Sequence, residues 1–207
     1  GTDETNFYSC CTASTGVVET STAIDTDIGG AAADTSDSTI DMDCISATDC
    51  KIVYVDDLDT TTPILRFVDC DNADCSTNTN TNIAGDVGRA TEGGEPRIFC
   101  PATDNCKIVY GDMGIAAPDA VFVDCGDATC SGTAGTCTSG TRVCTIVDTD
   151  LGANDTDFRG DVYCPSDVSA DTDCKFIFFN SVDETNDAIW LADCSNASCG
   201  TRDALTS

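Results

Sequence analysis

Residues 97–112, RIFCPATDNCKIVYGD, decide the fold, because the chain contains this stretch three times in altered form. Residues 41–56 read DMDCISATDCKIVYVD, and residues 161–180 read DVYCPSDVSADTDCKFIFFN. A second cysteine phrase follows each copy, as ILRFVDCDNADCS (64–76), AVFVDCGDATCS (120–131) and AIWLADCSNASCG (188–200). A motif that recurs in this way indicates a fold built from one repeated unit.

Each unit contains four short runs of β-branched and aromatic residues, separated by Asp, Asn and Gly, which is typical of strands and turns. No segment shows the long 3.6-residue period of an amphipathic helix. The sequence therefore predicts an all-β, disulfide-stapled protein with almost no helix. We expect three four-stranded antiparallel repeats, in a propeller-like or open β-repeat array. The expected boundaries are an N-terminal segment (1–29), repeat 1 (30–88), repeat 2 (89–152) and repeat 3 (153–207).

The 16 cysteines fit hairpins that are closed by disulfides. Cross-strand neighbours at the base of a hairpin lie close enough for a disulfide with a small adjustment. The expected pairs are Cys44/Cys50, Cys100/Cys106 and Cys164/Cys174 in the first hairpin of each unit, Cys70/Cys75, Cys125/Cys130 and Cys194/Cys199 in the second, and Cys137/Cys144 in an inserted hairpin. Cys10 and Cys11 stay unassigned, because they could bridge each other, another cysteine of the chain or a second molecule. So many cysteines indicate an oxidising location, outside the cell or on its surface.

The repeat is out of phase with the chain ends. Residues 23–29, AIDTDIG, resemble the end of the fourth strand of a unit, as in NIAGDVG (82–88) and IVDTDLG (146–152). No such phrase follows Cys199, so we expect repeat 3 to lack its last strand. Residues 1–29 could complete this repeat in the same chain or in the next molecule, and a third alternative is a fragment of a longer array.

The units resemble a repeat of secreted bacterial proteins, in which a strand of the form D-G-x-P-x-I-x-Y-Y-D precedes L-x-x-x-x-C-x-x-x-x-C and V-D-x-x-x-D-V-G. The resemblance spans about residues 41–200 and rests on Tyr54, Asp56, Cys70, Cys75 and Gly88. These proteins are Cys-containing and propeller-like. The resemblance implies a secreted or surface β-repeat and no enzymatic activity.

The composition excludes several kinds of chemistry. The chain has no His and a net charge of −28, with 37 acidic and 9 basic residues. The missing His removes the Ser-His-Asp and Cys-His types of catalysis and most zinc sites. The negative charge opposes binding to nucleic acid, and no apolar run is long enough for insertion into a membrane.

Acidic pairs are numerous, but with 37 acids such pairs arise by chance, so we expect no enzyme. The pairs are Asp25/Asp27, Asp56/Asp57/Asp59, Asp148/Asp150 and Asp155/Asp157. We expect no cofactor, and leave Ca²⁺ open because Asp-rich turns supply oxygen ligands, although no EF-hand loop is present. Asn154 and Asn196 begin N-glycosylation sequons and are candidate glycan sites.

These features predict a structural subunit of an extracellular filament or surface appendage. Copies would assemble head to tail by strand complementation, in which residues 1–29 are the donor and residues 153–207 the acceptor. The alternative is a monomeric secreted β-propeller-like module that binds carbohydrate or a surface partner.

Overall fold

The computed structural model describes residues 5–9, 20–25, 39–56, 63–85, 95–112, 119–133, 140, 142–149, 151, 158–165, 173–180, 188–195 and 198–205. All regular elements in these ranges are β-strands. A two-stranded hairpin comprises β1 (Thr5–Ser9) and β2 (Thr20–Asp25). Three four-stranded antiparallel sheets follow, each with its strands in chain order.

The strands of the three sheets have the following bounds. The first sheet contains β3 (Ile40–Ser46), β4 (Asp49–Asp56), β5 (Ile64–Cys70) and β6 (Asn78–Gly85). The second contains β7 (Arg97–Ala102), β8 (Asn105–Asp112), β9 (Asp119–Cys125) and β10 (Arg142–Asp148). The third contains β11 (Gly160–Tyr163), β12 (Cys174–Asn180), β13 (Ala188–Ser195) and β14 (Ser198–Ala204).

Between described residues, six disulfides close the hairpins. They are Cys44–Cys50, Cys70–Cys75, Cys100–Cys106, Cys125–Cys130, Cys164–Cys174 and Cys194–Cys199. They are six of the seven pairs that the cysteine spacing predicts. Cys144 is also disulfide-bonded, whereas Cys137, Cys10 and Cys11 lie outside the described residues.

The two faces of each sheet carry different residues. We call the face that bears Lys51, Lys107 or Lys175 the Lys face, and the opposite face, which bears Cys50, Cys106 or Cys174, the Cys face. Because side chains alternate along a strand, these neighbouring residues lie on opposite sides.

Two buried apolar clusters join the sheets. In the first cluster, the Lys face of the first sheet, with Val53 and Phe67, packs on the Cys face of the second, with Ile108 and Val123. In the second, the Lys face of the second sheet packs on the Cys face of the third, which contributes Phe176. A single direction of packing therefore runs through all three sheets.

Phe158 fills the space between the second and third sheets and is 1% exposed. A Cβ atom added to Gly111 would lie 2.6 Å from its Cβ, and one added to Gly160 would lie 2.6 Å from its Cζ. The ring therefore fits because two strands carry glycine where they approach it. In the first sheet, the position of Gly111 is occupied by Val55, since Val55 pairs with Leu65 as Gly111 pairs with Ala120.

The third sheet is complete, so the expectation that repeat 3 lacks its last strand is wrong. β14 pairs with β13 from Ser198 to Ala204, and the amide of Leu205 donates to the carbonyl of Ile189 at 2.7 Å. The expectation relied on the missing D-x-D-x-G phrase. Main-chain pairing does not require that phrase, because the ladder uses backbone groups that every non-proline residue has.

The N-terminal strands pair with each other in the same chain. β1 and β2 form an antiparallel hairpin, in which Ser9 is opposite Thr20. Ile24 of β2 packs against the Cys face of the first sheet, beside Ile52, Tyr54 and Val68. The hairpin thus lies at the start of the series of sheets, and its strand β2 already has a partner.

Candidate interaction surface

A Lys–Asp ion pair occupies the same position in all three sheets. β-Strand pairing places Lys51 opposite Asp69 in the first sheet and Lys107 opposite Asp124 in the second. Both ammonium groups form ion pairs with these carboxylates, and both lysine side chains are 1% exposed. Each pair lies in the interface with the next sheet, so its charges are largely removed from water.

Asp49 also contacts the first of these ion pairs, because its Oδ1 lies 2.7 Å from Lys51 Nζ. Burial alone would lower the pKa of Lys51, but hydrogen bonds to Asp49 and Asp69 and their negative charges outweigh it and raise that pKa. The pKa of Asp49 is lowered, because the hydrogen bonds it accepts from Lys51 and Thr103 outweigh its burial. The charged ammonium form of Lys51 is therefore favoured, although the side chain lies in the interior.

The third pair is exposed. Lys175 and Asp193 are opposite each other on β12 and β13, with 2.9 Å between Nζ and Oδ1. Their side chains are 40% and 50% exposed. No described element covers this Lys face, which distinguishes it from the Lys faces of the first and second sheets.

Apolar residues surround the exposed pair. Ile177 is opposite Leu191, and Phe179 is opposite Ile189. Ile177 and Ile189 are 40% and 46% exposed. A shallow depression of about 300 Å³ lies beside them, and Arg159 and Asp161 contribute to its wall.

The same positions are buried in the other sheets. The counterparts of the four apolar residues are Val53, Val55, Leu65 and Phe67 in the first sheet and Val109, Gly111, Ala120 and Phe122 in the second. Side chains at these positions of the first and second sheets are fully enclosed. The third sheet thus presents to solvent a surface of the kind that the first two sheets use for packing.

The opposite end of the series exposes part of a Cys face. Met42 and Ile40 of β3 are 50% and 49% exposed. Met42 pairs with Ile52 as Ile98 pairs with Ile108 and Val162 with Phe176. Ile98 and Val162 are buried against the preceding sheet, so Met42 lacks the cover that its counterparts have within the described structure.

Two carboxylates fix the first edge of the second sheet. The amides of Ile98 and Cys100 donate to the carboxylates of Asp41 and Asp43 at 2.9 and 2.7 Å. Free edges of sheets invite pairing with other chains. These contacts occupy the outer edge of β7, so this edge is not free to pair with another chain.

Arg142 and Asn180 also join neighbouring sheets. The Arg142 guanidinium is fully buried and donates to the carbonyls of Cys130 and Thr133 in its own sheet, at 3.0 and 3.1 Å, and to that of Asn82 in the first sheet at 3.3 Å. Asn180 Nδ2 donates to Asp148 Oδ2 of the second sheet at 2.8 Å. Asp148 is therefore part of an interface between sheets.

The acidic pairs of the sequence lie mostly outside the described residues. Asp56 is fully buried and forms an ion pair with Arg66, whereas Asp57, Asp59, Asp27, Asp150, Asp155 and Asp157 lie outside the described residues, as do the sequon residues Asn154 and Asn196. Within the described ranges, no three acidic or cysteine side chains converge in the manner of a metal site. No membrane-spanning helix occurs in the part of the chain that the structure describes.

Sequence reasoning did not identify the Lys–Asp pairs, Phe158 or Arg142 as functional or interface residues. A signal for the pairs was present, because Lys follows the second cysteine of each copy and Asp precedes the third. For Phe158, no counterpart exists in the other copies, so the repeat could not reveal it.

No protein-family model, curated protein or solved structure matches this chain. The class that the structure defines is thus a disulfide-rich all-β protein of three antiparallel four-stranded sheets. Its many disulfides are typical of an oxidising environment.

Proposed function

We propose that this protein is a structural subunit of an extracellular filament or surface appendage, in which copies join head to tail. One observation supports the proposal: the two ends of the series of sheets are unlike and complementary. The third sheet exposes a Lys face, and the first sheet exposes Ile40 and Met42 of a Cys face. Inside the chain, faces of these two kinds pack against each other. A contact between unlike ends leaves one free end of each kind and can propagate.

The proposal keeps the segment 1–29 at the donor end and the segment 153–207 at the acceptor end. It replaces strand complementation by packing of faces, because β14 already fills the fourth position of the third sheet. The N-terminal hairpin contributes through its position at the start of the series, where Ile24 packs on the Cys face of the first sheet.

The proposal includes the architecture and the partners. We regard the three sheets as repeats in a propeller-like or open array, similar to the secreted bacterial repeat proteins, and their equal strand order and registers support this. The partner is a second copy of the chain, with glycans on Asn154 and Asn196 as further candidates. Enzymatic activity, a resident cofactor, nucleic acid and membrane insertion are not part of the proposal, and Ca²⁺ stays open.

Association of the purified, oxidised chain tests the function. Sedimentation velocity over a concentration series, followed by negative-stain microscopy, should show polymers that lengthen with concentration. The buffer needs about 0.15 M salt, because copies with a charge of −28 repel each other and salt screens this repulsion. A chain that stays monomeric at all concentrations would exclude the filament.

The depression on the third sheet supports the alternative of a monomeric binding module. It combines the apolar Ile177 and Ile189 with the charged Arg159 and Asp161, and pockets with mainly apolar walls and a few polar groups suit small ligands. A carbohydrate-array screen with the monomer tests this alternative. Specific binding that the substitution Ile189→Asp abolishes would favour it over the filament.

A further inference from the structure

We propose that the Lys face of the third sheet docks the N-terminal end of a second copy, so that the interface between molecules repeats the packing between sheets of one chain. The inference rests on the proposed head-to-tail assembly and specifies its contact surfaces. The docking face consists of Lys175, Ile177, Phe179, Ile189, Leu191 and Asp193.

The first argument is the equivalence of positions. Strand pairing places Ile177 and Leu191 where the first sheet has Val53 and Phe67, both fully buried under the second sheet. A large apolar side chain contributes about 1.5–3 kcal/mol when it moves from water to an apolar interior. Docking on the third sheet would gain free energy in this way, because Ile177 and Ile189 are still 40% and 46% exposed and a partner would bury them.

The second argument is the ion pair. A Lys–Asp pair lies inside each of the two interfaces between sheets. The pair Lys175–Asp193 has the same register and is already formed at 2.9 Å. A second copy that docks here would therefore bury two charges that neutralise each other. An unpaired charge at this position would oppose docking.

The third argument identifies the occupant. In the chain, a Lys face always meets a Cys face, whose first strand contributes an apolar residue such as Ile98 or Val162. In a second copy, the corresponding residue Met42 is exposed. The β1–β2 hairpin packs on the same Cys face through Ile24, and its Ala23 is also exposed. The N-terminal end of a second copy thus offers the β3 part of a Cys face, whereas Ile52 and Val68 of its central strands are already buried.

A symmetric contact between two third sheets is the competing arrangement. It would place two Lys faces against each other, a combination that occurs at neither interface within the described chain. It would also close after two copies, since an isologous contact uses the same surface on both partners.

Two charge substitutions distinguish these arrangements in the full chain. Ile177→Asp blocks the docking face, and Met42→Asp blocks the N-terminal end. Each should weaken self-association about 100-fold or more, because a buried unpaired carboxylate opposes docking. Ile146→Asp is the matched control, since Ile146 is 56% exposed on β10 of the second sheet, a strand that contributes to neither surface. Circular dichroism and thermal melting verify that every variant is folded.

Mixing the two blocked variants gives the decisive readout. Each variant alone should be monomeric, and an equimolar mixture should form a 1:1 heterodimer that does not grow, because only one pair of intact surfaces remains. A Met42→Asp variant that dimerises by itself would instead identify the symmetric contact and overturn the proposed occupant.

The remaining outcomes separate the inference from the function. Polymers that persist in Ile177→Asp overturn the docking face and leave the filament standing. A wild-type chain that never associates overturns both. In a second test, Lys175→Glu should reduce association and the added substitution Asp193→Lys should restore it; loss without restoration would exclude the role of the ion pair.

Discussion

Lys175 and Asp193 form a 2.9 Å ion pair on the open face of the third sheet, at the position where the other two sheets bury a Lys–Asp pair in their interfaces. The same two residue types therefore occur in two environments within one chain. This difference makes the stability effect of each pair predictable, because a charge pair in water contributes far less than the loss of one partner in the interior.

The loss of stability on substitution of each lysine should increase with the burial of its side chain. Lys51→Ala leaves the carboxylate of Asp69 buried without its cation, and we expect a loss of about 3–5 kcal/mol in the free energy of unfolding. Lys175→Ala should lower the stability of the monomer by no more than about 1 kcal/mol. Denaturant unfolding at a concentration where the chain is monomeric measures both. Equal losses would show that the first and third pairs do not differ in burial.

Accessibility should set the order in which the disulfides are reduced in the native protein. Cys44 is exposed, whereas Cys125 and Cys130 are fully buried. Thiol–disulfide exchange requires access to a sulfur atom, so Cys44–Cys50 should open well before Cys125–Cys130. Timed reduction followed by alkylation and peptide mass mapping gives the order. Simultaneous opening of both bridges would indicate global unfolding instead, and the same map assigns Cys10, Cys11 and Cys137.

Removal of one buried disulfide should lower the free energy of unfolding by about 2–3 kcal/mol, since each disulfide closes a short loop in the unfolded chain. The double substitution Cys100→Ala/Cys106→Ala tests this value by denaturant unfolding under oxidising conditions. The comparison is with the wild type in the same buffer, in which the other bridges are intact. An unchanged midpoint would mean that packing between the first and second sheets holds this hairpin without its disulfide.

Asp119 should make stability depend on pH. Burial, and secondly the negative charge of Asp148, raise the pKa of Asp119 above its ordinary value of 3.8. The folded state thus holds this proton more tightly than the unfolded state. The stabilising contribution is present below pH 3.8 and is lost as the pH rises through the raised pKa.

Asp119→Asn should consequently raise the melting temperature at pH 7, by roughly 2 °C, which corresponds to less than 1 kcal/mol in a chain of this size. The gain should disappear near pH 3, where the carboxyl is protonated in both states. Asp104→Asn, in an exposed turn, is the matched control and should have little effect at either pH. A gain of equal size at pH 3 and pH 7 would contradict the electrostatic cause.

Gly111 should not tolerate a side chain. A Cβ atom there would lie 2.6 Å from Phe158 Cβ, and overpacking in a filled interface costs about 1–3 kcal/mol. Gly111→Ala should lower the melting temperature, whereas Gly85→Ala, at the exposed end of β6, should leave it unchanged or raise it slightly. A neutral Gly111→Ala would mean that the second and third sheets can separate enough to admit a methyl group.

Much of the fold could be read from the repeat. The runs KIVY, KIVY and KFIF, each directly after the second cysteine of its unit, predict a strand and its hairpin bridge, because both depend on residues that are close in sequence. The fourth strand of the third sheet could not be predicted in this way. Residues 198–204 lack the phrase that marks the other fourth strands, and they pair with β13 through main-chain groups that carry no sequence signal.

The sequence by itself determined most of the strands, six hairpin disulfides and the acidic charge, since these follow from local patterns and composition. Only the tertiary structure decided which lysines are interior and which face is open. Lys51, Lys107 and Lys175 have nearly identical neighbours in the sequence, but the burial of each depends on whether another sheet lies on it. The stacking of sheets brings together residues that are far apart in the chain, and for that reason the exposed end of the series became visible only in three dimensions.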